Sequence, residues 1–97
     1  MTIVKEYLEL TQKWKREYGE KTLVLMQVGS FFEVYALRGC DGVVKGSDIE
    51  QFSLINDMVI TPKSKMVHNG NIVLMAGFGL AQLDKYVKKL QENDYTI

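Results

Sequence analysis

Two apolar segments with only two residues between them constrain this chain more than any other feature of its sequence. Residues Thr22–Val28 are apolar with little polar alternation, which predicts a strand that is buried on both faces. Gly29 and Ser30 follow, and a two-residue Gly-X connection is typical of a type II′ hairpin turn. The return strand is predicted over Phe31–Leu37. The sequence therefore predicts a β-hairpin over residues 22–37.

Helices are predicted before and after this hairpin. Apolar residues at helical spacing predict a first helix that ends at Gly19. Ser47 and Glu50 match a capping box, which predicts a short helix over Asp48–Asn56. A narrower apolar stripe predicts a last helix over Leu80–Asn93.

Two further strands are expected, over Met58–Thr61 and Asn71–Ala76. Pro62 is expected to end the first of them or to place it at a sheet edge. Glycine-rich or polar segments are predicted to be loops or breaks: residues 38–46, 63–70 and 77–79.

The composition fits a single small domain over residues 1–97, of the α/β (α+β) class with a mixed β-sheet flanked by helices. The chain has 97 residues, of which 46% are hydrophobic and 25% charged, as in ordinary globular domains. Twelve basic and twelve acidic residues give a net charge of zero. This balance excludes a polybasic nucleic-acid binder, which gains its affinity from bulk positive charge. No apolar run approaches the roughly 20 residues of a membrane span, so no membrane partner is expected.

The sequence offers little for catalysis, so we expect no enzyme activity and no cofactor or metal for these residues. Cys40 is the single cysteine, which excludes an internal disulfide and is typical of a reducing, intracellular compartment. With His68 as the single histidine, a zinc site of Cys and His ligands is excluded as well. Neither of the common phosphate-loop patterns, G-x-x-x-x-G-K-[ST] and G-x-G-x-x-G, is present.

The return strand carries an unusual pairing of an aromatic ring and an acid. Side chains alternate between the two faces of a strand, so Phe32 shares a wholly apolar face that should lie in the core. Glu33 points to the other face and cannot be buried cheaply without a partner. Phe31 shares that face, so we expect Phe31 to be exposed and Phe32 to be buried. An exposed ring beside a turn fits a wedge for a flat partner, unless another element such as the Trp14 helix covers it.

The segment Val28–Tyr35, VGSFFEVY, resembles the Gly-x-Phe-Tyr-Glu-Leu segment in the mismatch-recognition domain, domain I, of MutS-type DNA mismatch repair proteins. The order of helices and strands is similar over nearly the whole chain, and Met75–Gly77 is similar to a Met-Ala-Gly before that domain's last helix. Ser30 and Phe32 depart from the family's usual residues, and its Pro after Met-Ala-Gly is absent. The residues of this segment are similar to those of the large MutS-like proteins of giant viruses and octocoral mitochondria.

This resemblance implies that Phe31 stacks on a mispaired base from the minor groove and that Glu33 hydrogen-bonds the same base. The candidates for contacts to the DNA backbone are Ser30, Lys63, Lys65 and His68. The resemblance further implies that the chain is the N-terminal part of a longer, dimeric protein. ATP and Mg²⁺ would then be used only by a C-terminal domain of that protein. The implied partners are mismatched double-stranded DNA and other domains of the same chain, in the compartment that maintains the genome.

Two other functions remain open on the residues alone. A protein-interaction module would dock an exposed Phe31 in a partner's pocket. A small nuclease-like or RNA-processing domain is disfavoured, because clustered acids and histidines are missing. A Walker A lysine motif downstream of Ile97 would favour the MutS interpretation. A stop codon at that point would favour an interaction module.

We predict that the isolated 97-residue chain binds mismatched duplex DNA weakly, at or above the roughly 10⁻⁴–10⁻⁶ M range of non-specific binding. The segment assigned to the DNA side offers Lys63 and Lys65, and two phosphate contacts give a log–log salt slope of about −2. Titration of labelled heteroduplex at two salt concentrations measures both quantities. Nanomolar affinity, or a slope steeper than about −5, would contradict this reasoning from charge.

Overall fold

In the computed structural model, a five-stranded sheet lies between helices. The structure describes residues 2–68 and 70–97, with the side chains of all of them except residues 2 and 64–68. The elements in chain order are α1 Thr2–Tyr18, β1 Met26–Val28, β2 Phe31–Arg38, β3 Val44–Lys45, α2 Ile49–Asn56, β4 Thr61–His68, β5 Asn71–Gly79 and α3 Leu83–Glu92, with a 3₁₀ turn over Leu80–Gln82. The strand order is β1-β2-β5-β4, and β3 also pairs with β2. The ladders between these strands are antiparallel, and one parallel bridge joins Thr22 to Thr96. The predicted α+β class, with a β-sheet flanked by helices, is confirmed.

Strand β2 pairs with β5 along its whole length and is the centre of the sheet. In this register Glu33 lies opposite Gly77, and Tyr35 lies opposite Met75. On its other side, the first residues of β2 pair with β1 through a two-residue turn. Gly29 in this turn has a φ of 60°, the left-handed conformation that a type II′ turn requires of its first central residue. The predicted hairpin is therefore confirmed.

Helix α1 covers one face of the sheet along the second half of β2. The ring of Tyr7 meets the ring of Tyr35 edge-on at 5.2 Å, and Val4 packs with Leu37 and Val73. Both tyrosines are fully buried. The hydroxyl of Tyr7 donates a hydrogen bond to the carbonyl oxygen of Val24 at 2.8 Å, which satisfies its one polar atom in the core.

Helices α2 and α3 cover the opposite face. Their aromatic rings converge on Phe78 of β5: Phe52 lies 6.2 Å from it and Tyr86 lies 4.8 Å from it, between ring centroids. Leu90 of α3 is fully buried in the same cluster. The sheet is thus sandwiched between α1 and the pair α2 and α3, with a hydrophobic layer on each side.

The helices lie close to their predicted positions. Helix α1 ends one residue before Gly19, whose N–H donates to the carbonyl oxygen of Lys15 at 2.8 Å and whose φ is 104°. Helix α3 follows the short 3₁₀ turn where a single helix is predicted. No helix within the described ranges is long and apolar enough to cross a membrane.

The segment before the hairpin is a shorter strand than the sequence predicts. Of the predicted strand Thr22–Val28, only Met26–Val28 pairs with β2. The preceding residues run beside the C-terminal segment instead, where the N–H of Leu23 donates to the carbonyl oxygen of Thr96 at 2.8 Å. Leu23 is fully buried, whereas Gln27 is exposed, so burial on both faces does not extend along the strand.

The start of α2 differs from the predicted capping box. The residue before the helix is Asp48, and no side-chain hydrogen bond caps it. Ser47 Oγ instead donates to the carbonyl oxygen of Tyr35 at 2.5 Å. The carboxylate of Asp48 accepts hydrogen bonds from Lys15 Nζ at 2.8 Å and from the hydroxyl of Tyr95 at 2.9 Å. Asp48 thereby links α1, the start of α2 and the C-terminal segment.

Strand β4 occupies most of the segment for which the sequence predicts a polar loop, residues 63–70. Pro62 lies within this strand, so the alternative in which it ends the strand is wrong. The edge position is confirmed, because β4 is the last strand in the order of the sheet and proline is tolerated at an edge. Strand β5 likewise continues through the predicted break at residues 77–79, and β3 lies within the predicted loop at residues 38–46.

The burial of Tyr95 leads to a prediction about alkaline stability. Burial, and next the hydrogen bond to Asp48, raise the pKa of Tyr95 to about 12, against an ordinary value of 10.0. The unfolded chain therefore loses this proton at a lower pH than the folded chain. We expect the free energy of unfolding to fall as pH rises from about 10 to about 12, by roughly 1–3 kcal/mol for this group.

Urea unfolding at several pH values between 8 and 12 measures this loss. The matched control is Tyr95→Phe, which removes the titrating hydroxyl and keeps the ring. Its pH dependence should be shallower than that of the wild-type chain, with a remainder from Tyr7 and Tyr35, whose pKa values burial also raises. Identical slopes for the two chains would contradict the prediction.

Candidate nucleic-acid interface

The first half of β2 leaves one face of the sheet open, because α1 packs only against the second half of that strand. Phe31 and Glu33 lie on this open face, next to the hairpin turn. Phe31 is 56% exposed, so the prediction of an exposed ring is confirmed. Leu80 is also exposed, and its N–H donates to the carbonyl oxygen of Ser30 at 2.8 Å. An aromatic ring and an aliphatic side chain are therefore offered to solvent beside the turn.

Phe32 points to the opposite face and is half-buried. Its ring stacks on that of Phe78 at 5.9 Å between centroids. The prediction that Phe32 is buried is correct only in part, because its ring packs against Phe78 but stays partly accessible to solvent. The predicted difference between the two neighbouring phenylalanines is nevertheless present.

Glu33 is held by two donors that reach the same oxygen. Lys63 Nζ, from the edge strand β4, donates to Glu33 Oε1 at 3.2 Å. The hydroxyl of Tyr35, two residues further along β2, donates to the same Oε1. Lys63 Nζ also lies 5.2 Å from the centroid of the Tyr35 ring, within reach of a cation–π interaction. The three side chains form one cluster, which we call the Glu33 cluster.

The Glu33 cluster is partly shielded from solvent. The side chains of Lys63 and Glu33 are 18% and 13% exposed, and Tyr35 is fully buried. Burial, and next the hydrogen bond that it donates to Glu33, raise the pKa of Tyr35 well above its ordinary value. The phenol therefore keeps its proton at neutral pH and remains a donor to the carboxylate.

Gly77 makes room for this carboxylate. It lies opposite Glu33 in the pairing of β2 with β5. A Cβ at Gly77 would lie 2.6 Å from the carbonyl oxygen of Phe32 and 3.2 Å from Cγ of Glu33. The first distance is a clash with backbone, so only glycine fits here without a shift of one strand against the other.

Phe31 and Glu33 both line a depression in the surface. Its volume is about 300 Å³. The residues that line it are Phe31, Glu33, Met75, Gly77 and Phe78. A lining of apolar side chains and one carboxylate suits a flat group that stacks on a ring and donates a hydrogen bond.

The other candidate residues lie in different surroundings. Ser30 is exposed in the hairpin turn. Lys63 belongs to the Glu33 cluster, whereas the sequence suggests it as a contact to the DNA backbone. Lys65 and His68 belong to β4, and their side chains lie outside the described residues. Among the described residues, no group of three His, Cys, Asp or Glu side chains is placed to hold a metal ion.

The sequence indicates Phe31 and Glu33 as candidate residues but does not indicate the partners of Glu33. Lys63 is 30 residues away along the chain, and its strand is predicted to be a loop, so no local pattern brings the two together. Tyr35 carries a usable signal, because it is two residues from Glu33 on the same strand and shares its face.

Comparison with known proteins finds a similar viral protein. No protein-family model matches the chain. The chain is 30% identical over 98 residues to a protein of Acanthamoeba polyphaga mimivirus that is named as a mutS homolog in DNA mismatch repair. The similarity covers 99% of this chain and 8% of that protein. This chain is thus similar to a short part of a MutS homolog, which supports the relationship to MutS proteins that the motif indicates.

The close approach at Gly77 leads to a prediction about stability. We expect Gly77→Ala to lower the free energy of unfolding by roughly 1–3 kcal/mol, because its Cβ must push β5 away from β2. Gly79→Ala is the matched control, since Gly79 lies on the same strand, has a φ of −72° and has open space where its Cβ would lie. It should change stability by less than about 0.5 kcal/mol. Urea unfolding of both variants measures the difference, and equal effects would contradict the proposed clash.

Proposed function

We propose that this chain recognises mismatched or unpaired bases in duplex DNA from the minor groove, as the mismatch-recognition domain of a MutS-like protein. Phe31 stacks on the unpaired base, and Glu33 accepts a hydrogen bond from it. The observation that carries this proposal is the placement of an exposed Phe31 and a held Glu33 side by side on the open face of the sheet. The similarity to the mimiviral mutS homolog supports it independently.

An exposed ring suits the energetics of mismatch recognition. Minor-groove proteins often insert apolar side chains between base steps, at a cost of a few kcal/mol for each step that is unstacked. A mispaired or unpaired base is already poorly stacked, so this cost is lowest there. A phenyl ring stacks on any base, because every base has a π-face. Phe31 can therefore serve many kinds of mispair with one contact.

An acid beside that ring serves selection rather than affinity. A carboxylate near DNA is repelled by the phosphates unless it gains a specific hydrogen bond. Glu33 is already neutralised locally by Lys63 at 3.2 Å, so its approach to DNA costs less than that of a free carboxylate. Its acceptor oxygens can then meet an N–H group on the edge of a base.

The rest of the DNA contact comes from outside this chain on our proposal. Phosphate contacts supply most of the affinity in DNA binding. A chain with a net charge of zero offers few of them. Other domains of the same protein, and a second subunit of a dimer, would supply them. ATP and Mg²⁺ would be bound by a separate domain of that protein, and we expect no catalysis by the residues described here.

A second candidate function is docking to a protein partner. It is favoured by the exposed Leu80, which lies beside the hairpin turn next to the exposed Phe31. Two apolar side chains that are close together can enter a pocket on a partner's surface. The carboxylate of Glu33 beside them, held in place on the open face, favours a hydrogen-bonding planar ligand instead.

The two neighbouring phenylalanines give a matched test. We expect Phe31→Ala to leave the free energy of unfolding within about 0.5 kcal/mol of wild type and to abolish the preference for a duplex with an unpaired base. Phe32→Ala should lower the free energy of unfolding by roughly 2–4 kcal/mol, because its ring stacks in the core. Urea unfolding and NMR titration with matched and unpaired-base duplexes measure the two effects. A Phe31→Ala chain that keeps the preference would refute the proposed function.

A further inference from the structure

We propose that Lys63 is a positioning residue for Glu33 and sets base discrimination, instead of contacting a DNA phosphate. This inference rests on the proposed function. Lys63 and Tyr35 together occupy Oε1 of Glu33. Oε2 is then the oxygen presented to the base, and the ligand group that it selects is an N–H donor on a base edge.

Two donors from different strands fix the direction of the carboxylate. Tyr35 belongs to β2, as Glu33 does, whereas Lys63 reaches across from β4 at the other side of β5. A free glutamate side chain samples many rotamers, and ordering it on binding costs free energy. The Glu33 cluster has already ordered this side chain before any base arrives.

Among the residues whose side chains are described, no donor reaches the second carboxylate oxygen of Glu33, Oε2. Within the described part of the chain, the hydrogen bonds of Glu33 both end on Oε1. An ionised carboxylate is purely an acceptor, so Oε2 can pair with an imino or amino N–H and is repelled by a bare ring nitrogen or carbonyl oxygen. The donor pattern of the unpaired base is therefore what Glu33 reads.

The position of Lys63 argues against a phosphate contact. Its side chain is 18% exposed, its ammonium lies 3.2 Å from Glu33 Oε1 and its charge faces the Tyr35 ring. To reach a phosphate, Lys63 would have to leave Glu33 and expose an unpaired carboxylate beside a polyanion. Partial burial also makes the pair less sensitive to salt than a pair on the open surface.

The experiment is a double-mutant cycle on the full 97-residue chain with Glu33→Gln, Lys63→Met and the double variant. Lys63→Arg is the conservative variant, and Lys45→Met is a control at an exposed lysine. Each chain is titrated by NMR with a matched duplex and with the same duplex carrying one unpaired thymine, which has an N3–H donor. The spectrum of each variant without DNA verifies that it is folded.

We expect Lys63→Met to reduce the affinity ratio for the two duplexes by roughly two- to tenfold, as for the loss of one hydrogen bond. If Lys63 acts through Glu33, the double variant should lose no more than Glu33→Gln does alone. Lys63→Arg should restore discrimination, and Lys45→Met should leave the ratio unchanged. The salt slope of Lys63→Met should equal that of the wild-type chain, which becomes about −1 instead of −2 once Lys63 is not counted as a phosphate contact.

The opposite results identify what has failed. If Lys63→Met weakens both duplexes equally and makes the log–log salt slope shallower by about 0.9, Lys63 is a phosphate contact and the proposal is overturned. Additive losses in the double variant overturn it as well. A wild-type chain that binds both duplexes equally, with Phe31→Ala unchanged, overturns the proposed function itself. A discriminating wild type with an equally discriminating Lys63→Met overturns only the role of Lys63.

Discussion

Helix α1 covers only the second half of β2 on its face of the sheet, and the division of the molecule into core and site depends on that limit. Where α1 is present, Tyr35 and Leu37 are buried beneath it. Where it is absent, Phe31 is open to solvent on the same strand and the same face. One strand therefore anchors the hydrophobic core with its second half and presents the candidate site with its first. Because β2 is paired on both sides at this point, by β1 and β5, the site rests on rigid backbone rather than on a loop.

The electrostatics of the site follow from the packing of the sheet. Gly77 leaves the space into which the Glu33 side chain fits, and the buried ring of Tyr35 brings its hydroxyl to the same carboxylate. A carboxylate in this partly shielded position needs a counter-charge, and the edge strand β4 supplies Lys63. In the Glu33 cluster, β2 thus supplies Glu33 and Tyr35, and β4 supplies Lys63. The cluster exists only when β2, β5 and β4 are in register.

Local patterns in the sequence predict the parts of this molecule that local forces decide. The hairpin at Gly29, the helices on either side and the opposite faces of Phe31 and Phe32 all follow from spacing and turn chemistry. The length of β4 does not, because its polar residues are held in a strand by pairing with β5 rather than by their own propensity. The ion pair of Lys63 with Glu33 depends on that pairing of β4 with β5, so no local sequence pattern predicts it either. Ser47 illustrates the same limit: its hydroxyl bonds to the backbone of Tyr35 in preference to the end of its own helix.

On the proposed function, the zero net charge and the Glu33 cluster both favour discrimination between mispaired and matched sites over affinity for DNA in general. A mismatch sensor meets matched base pairs far more often than mispairs, so its performance depends on a ratio of affinities rather than on either affinity alone. Each phosphate contact strengthens binding to both kinds of site equally and adds nothing to that ratio. Lys63 is a cation near the site that is engaged with Glu33, where it orders an acceptor instead of adding indiscriminate attraction. Stacking by Phe31 and selection by Glu33 then act only where a base has already lost its partner, while affinity is left to surfaces that do not need to discriminate.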